Sequence, residues 1–436
     1  MDIKDVKRNP ELITPGIKAL FEKADTVLAD QPKLLEIFKN TYASTLETTA
    51  QIVGENDTFI ITGDIPAMWL RDSVGQVHHY LPLCKEDTEL QKIMEGLIAR
   101  QAKCINIDPY ANAFNIEPNG NHWEIDKTEY TPWIWERKYE IDSLCYPMQL
   151  AYQYWKVSGS ERFFTEDFKK AVWNVVNTFK TEQDHATSPY NFIRVEEKCN
   201  GLETETLQFD GKGLPVNRTG MTWSGFRPSD DACTFGYLIP SNMFAVVVLG
   251  YIMEFAKEIF KDDYLYEKAR KLRHEIDYGI RKYAIYRHPT CGEMYAYETD
   301  GFGNYTLMDD ANVPSLLSIP YLGYAAPDSK LYQNTRKFIL SKENPFYFEG
   351  KVAKGIGSPH TPEDYIWHIA LSMQGLTAAT REEQLEIIDT VLKTDADTGF
   401  MHEGFHVDDP AQFTRPWFAW SNSLFAELVY NVYFAE

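Results

Sequence analysis

Residues suited to holding a sugar are concentrated in one stretch, residues 62–76, which reads TGDIPAMWLRDSVGQ. Arg71 offers a planar fork of N–H donors and Asp72 offers an acceptor beside it, so adjacent hydroxyl groups could be held from both sides. Trp69 offers a flat apolar face for the C–H groups of a sugar ring. An isolated Arg–Asp pair is more often a weak surface ion pair. The prediction of a sugar site therefore depends on three further stretches.

The second stretch, residues 220–231 (GMTWSGFRPSDD), ends in two adjacent acids, Asp230 and Asp231. Repulsion between neighbouring carboxylates in an apolar surround raises the pKa of one of them, as a general acid requires. Ser229 or Asp230 could instead cap a following helix. The pattern predicts an acid at one of the two aspartates and does not separate them.

The third stretch, residues 399–410 (GFMHEGFHVDDP), places Glu403 between His402 and His406, with glycines nearby that let the backbone present the carboxylate to a cavity. The order His-Glu-x-x-His also matches the zinc motif of metalloproteases. That motif needs both histidines one turn apart on a regular helix and a third ligand. Gly404 and the following Asp-Asp-Pro favour a loop, so we predict no metal and no other cofactor.

The fourth stretch, residues 133–142 (WIWERKYEID), sets Trp135 and Arg137 among further aromatic and charged side chains. Its chemistry is that of an apolar sugar platform with hydrogen-bonding arms. The structural alternative is a helix N-terminus with Glu140 and Asp142 at its first turn, where acids are favoured by the helix dipole.

Composition narrows the class of partner. The net charge of −21 argues against nucleic acid and against an anionic membrane. Six scattered cysteines without metal-ligand spacing indicate free thiols in a reducing compartment, and the N-terminus, MDIKDVKRNPEL, has no apolar signal segment. No run of about 18 apolar residues predicts a membrane span. We therefore expect a cytoplasmic protein.

The elements that position these stretches must be helices, which we predict from the periodicity of the apolar residues. This periodicity predicts helices over 16–29, 32–53, 73–83, 87–105, 140–157, 161–183, 241–260, 264–284, 312–320, 328–341, 361–377, 383–393 and 416–433. Residues 108–136 and 185–235 are irregular, with hairpin strands expected at about 192–195. No segment has the composition of a linker. The pattern predicts one all-α domain over residues 1–436, a toroid of helical hairpins with long loops at one end.

The ordered motifs resemble those of glycoside hydrolase family 125, the exo-acting α-1,6-mannosidases. The matching segments are TGDIPAMWLRDS, DPYANAFNIE, WIWERKYEIDSLCYP, GMTWSGFRPSDD, YLIPSNMFAVVVLGY, MDDANVPSLL, ENPFYF and MHEGFHVDDP. This resemblance implies an (α/α)6 barrel that hydrolyses terminal mannosides with inversion and without a catalytic metal. It also implies a mannose-containing oligosaccharide as substrate and a part in N-glycan degradation; we expect a monomer.

The resemblance also implies roles for individual residues. It places the acid in the Ser-Asp-Asp segment, which we assign to Asp230 with Asp231 as the alternative, and the base at Glu403. The two carboxyl groups of an inverting pair are expected roughly 6.5–9.5 Å apart, with room for water between them. Arg71 and Asp72 would hold the terminal sugar. Further substrate-binding candidates are Trp69, Asp64, Trp135, Arg137, Arg227, Asp231 and His406.

Three other functions remain as alternatives. The WLRDS segment also resembles that of glucoamylase-type (α/α)6 enzymes, so the sugar specificity could differ. A non-catalytic glycan-binding protein would explain the tryptophans and the Arg–Asp pair but would leave Glu403 without a function. A magnesium-dependent cyclase acting on diphosphates needs aspartates repeated along a helix face. Asp231 is followed by Ala-Cys-Thr-Phe and Asp310 by Ala-Asn-Val-Pro, so neither gives such an array.

Overall fold

The structure, a computed structural model, describes residues 3–195 and 203–435. The helices α1 to α13 are Pro15–Val27, Pro32–Ser44, Leu70–Gly75, Thr88–Ile107, Ile141–Ser158, Glu166–Thr181, Gln208–Gly211, Ile239–Glu254, Asp263–Tyr283, Lys330–Ile339, His368–Leu376, Arg381–Lys393 and Ala419–Tyr433. The strands β1 to β17 are Ala50–Gly54, Asp57–Ile60, Met68–Trp69, Ala113–Phe114, Asp126–Lys127, Ile134–Glu136, Ile193–Arg194, Tyr237–Leu238, Ile285–His288, Gly292–Tyr295, Glu298–Thr299, Tyr305–Thr306, Tyr347–Glu349, Lys354–Ile356, Tyr365–Trp367, Gly404–His406 and Asp409–Phe413. The strands pair into small antiparallel sheets.

The helices alternate along the chain between an outer and an inner layer. Outer helices are amphipathic: α9 buries Leu265, Leu272 and Ile276 at helical spacing and exposes charged residues on its other face. Inner helices are buried almost all round, as in α8, where Phe244 and Val248 are both fully buried. Helices α2, α4, α6, α9, α10 and α12 are outer, and α3, α5, α8, α11 and α13 are inner.

The inner helices form a ring. Helix α3 packs on α5, α5 on α8, and α11 on α13, which returns to α3. By their order in the chain and their burial, residues 312–324 take the place of a sixth inner helix. They contact α5 through Tyr146, whose hydroxyl donates to the Val313 carbonyl (3.2 Å). The predicted (α/α)6 barrel is thereby confirmed. One cluster of buried side chains runs from α1 to α13 and favours the predicted single domain.

Several predicted elements are wrong in their extent. The helix predicted at 312–320 is a series of turns, because the Asp309 carboxylate accepts the N–H groups of Leu316 and Leu317 (2.7 and 2.9 Å). The helix predicted at 32–53 ends at Ser44, passes through a π-helical turn and becomes β1. The helix predicted at 361–377 begins only at His368. The strand predicted near 193 exists as β7 and pairs with the distant β5.

The topology gathers the functional loops at one end of the barrel. Inner helices all run in the same direction, because each is the returning half of a hairpin. Their N-termini therefore lie at the same end. Strand β3 leads into α3, β6 and Glu140 precede α5, β8 precedes α8, and the β15–β16–β17 sheet adjoins α11. Each of the four stretches that suggested chemistry lies in one of these approaches to an inner helix.

Two features bear on the cellular environment. None of the helices within residues 3–195 and 203–435 combines the length and the apolar composition needed to cross a bilayer. The described cysteines, Cys84, Cys104, Cys145, Cys233 and Cys291, are free thiols. Cys199 lies outside the described residues.

Candidate functional site

A backbone contact joins the first motif to the end of the chain. Gly63 has φ of +136° and forms an isolated β-bridge with Phe418, and the Asp64 N–H donates to the Trp417 carbonyl (3.2 Å). A Cβ at Gly63 would lie 2.4 Å from the Trp417 oxygen, so the position requires glycine. This contact places Asp64 beside Arg415, which immediately precedes this C-terminal segment.

Arg415 connects Asp64 to Glu403. Its Nη2 donates to Asp64 Oδ1 (2.6 Å), and its Nη1 lies 3.4 Å from Glu403 Oε1. Burial alone would lower the pKa of Arg415, but the Glu403 and Asp64 carboxylates raise it above its ordinary value. Glu403 is 6% exposed, and its carbonyl accepts the His368 N–H (3.3 Å) at the start of the β15–β16 pair. A cation thus faces the Glu403 carboxylate.

Asp230 lies on an unusual backbone. Its φ is +79°, in the left-handed region that costs most L-residues free energy and that is common at functional sites. The conformation is held by the Asp230 N–H, which donates to the Arg227 carbonyl (3.0 Å), and by Lys138 Nζ, which donates to the Asp230 carbonyl (2.9 Å). About a third of the Asp230 side chain is exposed (32%), and Lys138 Nζ is 4.0 Å from its Oδ1.

Asp231 has a different environment. It is buried and accepts hydrogen bonds from the Thr204 hydroxyl (2.9 Å) and the His360 ring (3.3 Å). Burial alone would raise the pKa of Asp231, but the hydrogen bond and charge of His360 and the hydroxyl of Thr204 bring it below its ordinary value. The structure therefore separates the two adjacent acids, since Asp231 is held as an ionised internal acceptor.

His360 links the two sides of the site electrostatically. Burial would lower its pKa, but the hydrogen bond to Asp231 and the charges of Asp230, Asp231 and Glu403 raise it to about 9. The His360 imidazolium is consequently the positive centre between the Asp230 segment and the Glu403 segment at neutral pH.

Arg71 and Asp72 lie at the start of α3, below these groups. Arg71 is 2% exposed, and its Nη1 donates to Glu140 (2.6 Å) and Asp142 (3.1 Å). Its Nε is 3.5 Å from Asp72 Oδ2. Burial raises the pKa of Asp72 to about 6, the Arg71 and Arg415 charges oppose that rise, and Asp230 adds to it. Arg415 and Asp230 therefore lie close enough to Asp72 for their charges to change its pKa.

The two tryptophans predicted as a sugar platform meet in a small apolar cluster. Trp69 packs there with Ala67 and Ala113, and Ile65 and Trp135 lie against them. The sheet β3–β4–β6 brings these residues together, because β4 pairs with both neighbouring strands. Trp69 and Trp135 thus adjoin the segment that carries Arg71 and Asp72.

Three other predicted binding residues direct their polar atoms to the protein. Arg137 donates to Asp108 (2.7 Å) and Thr128 (3.0 Å), Arg227 donates to Glu298 (2.6 Å), and the His406 Nδ1 accepts the Asp408 N–H (3.1 Å). The structure shows internal ion pairs for the two arginines, and it places His406 three residues from Glu403 on β16.

The zinc alternative fails on backbone geometry. Residues 404–406 form β16, so His402 and His406 do not lie one turn apart on a helix. The His402 ring stacks on Phe413, with centroids 3.8 Å apart. The arrangement expected of a helical HExxH site is absent from this described segment.

Buried polar atoms without a protein partner mark this end of the barrel. Within the described residues, such atoms lie on the approaches to α5, α8 and α13; they include Glu140 Oε1, Trp135 Nε1, Asp230 Oδ1 and Trp417 Nε1. Others lie elsewhere, as at Thr14 and Gln101. Native proteins satisfy most buried polar groups, so the unpaired atoms at this end are compatible with a ligand that carries several hydroxyl groups.

Three residues of this site, Arg415, Lys138 and His360, have no part in the sequence-based assignment of catalytic and binding residues. The motifs do not point to Arg415 or Lys138, and His360 by itself suggests a structural histidine in a glycine-rich loop. A signal for Arg415 is its Arg-Pro dipeptide beside tryptophan, which repeats the Arg-Pro turn at Arg227. Lys138 lies inside the WERKYE segment, and the acidic residues around it are a signal from which a buried, ion-paired lysine could be predicted.

Comparison with known proteins gives consistent results. A family model described as "Metal-independent alpha-mannosidase (GH125)" matches residues 31–430. The chain is 38% identical over 440 residues to the Meiotically up-regulated gene 157 protein of Schizosaccharomyces pombe (strain 972 / ATCC 24843), covering 96% of this chain and 85% of that protein.

Two solved structures are similar to this chain, one in both sequence and fold and the other in fold alone. One from Streptococcus pneumoniae, a metal-independent α-mannosidase in a non-productive substrate complex with α-1,6-mannobiose, matches with a TM-score of 0.94 and 45% identity over 99% of this chain and 100% of that chain. A bacterial glucoamylase complexed with acarbose matches with a TM-score of 0.53 and 12% identity, covering 98% of this chain and 59% of that one. The second likeness concerns the fold alone.

Proposed function

Because the chain belongs to the GH125 family of metal-independent α-mannosidases and is therefore a glycoside hydrolase, we propose that it releases single mannose residues from the non-reducing end of α-1,6-linked mannosides with inversion. The α-1,6 linkage comes from the bound disaccharide of the S. pneumoniae relative. Another exo-glycosidase specificity is the alternative that the experiments below distinguish.

Asp230 and Glu403 are the acid and base of this mechanism. The Asp230 carboxylic acid donates its proton to the glycosidic oxygen as the bond to the anomeric carbon breaks. The Glu403 carboxylate takes a proton from water, whose oxygen attacks that carbon from the opposite face. The product is the β-anomer of mannose, and the leaving group departs as a free hydroxyl.

The surroundings of the two carboxyl groups support this assignment. Arg415 Nη1 lies 3.4 Å from Glu403 Oε1, so a fixed cation is held beside the proposed base. Asp230 Oδ1 accepts no hydrogen bond from any residue in 3–195 or 203–435, so it is available to a leaving-group oxygen. Asp231 is the poorer acid because Thr204 and His360 both donate to its Oδ1, although its Oδ2, like Asp230 Oδ1, accepts no hydrogen bond within the described residues.

The terminal sugar is held at the start of α3. Asp72 and Asp64 accept from its hydroxyls, and Trp69 and Trp135 contact its C–H face. Arg71 acts mainly by orienting Asp72, Glu140 and Asp142, because it is buried against all three. Arg137 and Arg227 brace their loops through Asp108 and Glu298, and His406 lines the side next to Glu403.

The unpaired buried atoms around Asp230 carry the proposal. Leaving them without partners would cost roughly 1–3 kcal/mol per group, which a polyhydroxylated ligand recovers.

The test uses α-1,2-, α-1,3- and α-1,6-linked mannobioses, with and without EDTA. We expect free mannose from the α-1,6 compound at the highest kcat/KM, unchanged by prolonged EDTA treatment. An α-1,6-mannotriose labelled at its reducing end should lose mannose from the other end first. Preference for another linkage would change the substrate assignment. Activity lost to EDTA and restored by zinc would revive the metal alternative.

The setting in which the enzyme acts is a further part of the proposal. The S. pneumoniae structure is described in connection with the processing of N-linked glycans. We propose mannosides derived from such glycans as natural substrates, with action in the cytoplasm, which the free thiols favour. The expected monomer stays a prediction that sedimentation would test.

A further inference from the structure

Residues 115–133, which we call the rim loop, expose large apolar side chains beside the candidate site. Trp123 is 49% exposed, Ile125 58% and Tyr130 36%. Exposed apolar side chains are ordinary when scattered singly, but three exposed within eight residues of one loop make a candidate binding patch, and such patches mark binding surfaces. The chemistry of a ligand for this patch follows from its place in the fold.

The rim loop is held in place by backbone and side-chain contacts. The Asn115 N–H donates to the Trp133 carbonyl (2.8 Å), and the Trp123 N–H donates to the Trp135 carbonyl (3.0 Å). Tyr130 donates to Asp126 (3.0 Å), which is itself bound by Arg194. The apolar side chains are therefore presented by a braced segment, which lowers the entropic cost of binding a ligand.

The patch continues the sugar platform outward. The rim loop joins β4 to β6, so its two ends are the strands that carry Ala113 and Trp135. Exposure rises along the series: Trp69 is 6% exposed, Trp135 is half-buried, and Trp123 is 49% exposed. An oligosaccharide whose terminal unit lies near Trp69 would pass Trp135 and leave the barrel over Trp123.

From this gradient we propose that Trp123, with Ile125 and Tyr130 beside it, binds the sugar units of the leaving group beyond the one next to the cleaved bond. The inference rests on the proposed function and names longer α-1,6-linked mannosides as preferred substrates. The exposed carboxylates of Glu117 and Glu129 in the same loop disfavour an anionic ligand, and a neutral glycan is compatible with them. Stacking on an aromatic ring uses the apolar face that every pyranose offers.

The test compares kcat/KM for α-1,6-mannotetraose and α-1,6-mannobiose in wild type, Trp123→Ala and Trp123→Phe. We expect Trp123→Ala to lower the tetraose-to-biose ratio about tenfold, the size of one lost aromatic contact, and Trp123→Phe to keep most of it. Tyr278→Ala, which removes an exposed aromatic side chain (51%) from outer helix α9, is the matched control and should leave the ratio unchanged.

Three results would overturn the inference. They are an unchanged ratio in Trp123→Ala, an equal loss on both substrates, and self-association of wild type that disappears in Trp123→Ala while the ratio stays constant. The last result would make the patch an interface between protein copies. If wild type cleaves neither substrate, the proposed hydrolase function itself fails, which is a distinct outcome.

Discussion

Asp230 and Glu403 are both carboxylates at the same end of the barrel, yet their surroundings differ in burial, backbone conformation and charged partners. Glu403 is buried at a bend just before β16 and faces the Arg415 guanidinium. Asp230 is a third exposed on left-handed backbone, and its Oδ1 accepts no hydrogen bond within the described part of the chain. Glu403 therefore has a fixed cation beside it, whereas Asp230 has a carboxyl oxygen without a hydrogen-bond donor in the described residues.

These different surroundings support the roles proposed for the two carboxyl groups. Lys138 Nζ donates to the Asp230 carbonyl and pairs with Glu205 (3.2 Å), and it lies 4.0 Å from Asp230 Oδ1. Lys138 fixes the backbone of Asp230, and the His360 ring hydrogen-bonds to the neighbouring acid, Asp231. Variants that remove one part of this asymmetry at a time can test it.

The largest effect should come from removing each carboxylate in turn. Asp230→Asn and Glu403→Gln should each lower kcat/KM on α-1,6-mannobiose by about 10²–10⁴-fold, the range for general acid–base catalysis. They should diverge on 2,4-dinitrophenyl α-mannoside, whose leaving group departs without a proton. Asp230→Asn should recover most of its loss there, and Glu403→Gln should not.

The control for this pair is Asp328→Asn, an exposed aspartate in the loop before α10, which should behave as wild type on both substrates. Disaccharide binding by Glu403→Gln, measured by calorimetry, should persist. If both variants recover on the activated substrate, the two residues do not differ in role and the asymmetry between them has no catalytic meaning.

A smaller effect is expected from Arg415→Met. The change leaves Asp64 and Glu403 without their shared cation. Burial raises the pKa of Asp72 to about 6 and the Arg415 charge opposes that rise, so losing this charge should move the acid limb of the kcat/KM profile to higher pH. We expect kcat to fall about 10- to 100-fold, as when one preorganised electrostatic partner is removed. Arg415→Lys should retain part of the activity, because it keeps the charge and loses the fork. An acid limb that stays in place in Arg415→Met would detach Arg415 from Asp72.

The smallest effect is expected for His360, whose positive charge interacts with both Asp230 and Glu403. Its folded-state pKa of about 9 lies above the ordinary 6.5, so its charged form stabilises the fold. That contribution is complete below about pH 6.5 and is lost as pH rises through about 9. The unfolding free energy of wild type should exceed that of His360→Gln by on the order of 2–3 kcal/mol at pH 6, from the size of the shift. Denaturant titrations at pH 6 and pH 10 should show this difference shrinking at high pH. A constant difference would mean that His360 is not charged in the fold.

The sequence could predict what depends on local pattern. Amphipathic helices such as α9 follow from residue spacing, and the four chemical stretches precede inner helices because loops of a rigid scaffold carry function. The predicted helix at 312–320 is wrong because a side chain seven residues upstream, Asp309, captures the N–H of Leu316. Periodicity records apolar positions and does not reveal such competition for backbone donors.

The partners of the site residues could not be predicted, since they depend on topology. Arg415 pairs with Asp64 across 351 residues and His360 pairs with Asp231 across 129. No spacing rule connects such positions. The left-handed φ of Asp230, which sets it apart from Asp231, is likewise a property of the folded loop.

Proton NMR of the mannose first released from α-1,6-mannobiose is the sharpest test of the acid and base roles. An acid at Asp230 and a water-activating base at Glu403 must deliver the β-anomer before mutarotation produces the α-form. Initial accumulation of the α-anomer would require a covalent intermediate and a nucleophile, and it would contradict the proposed roles of both carboxylates.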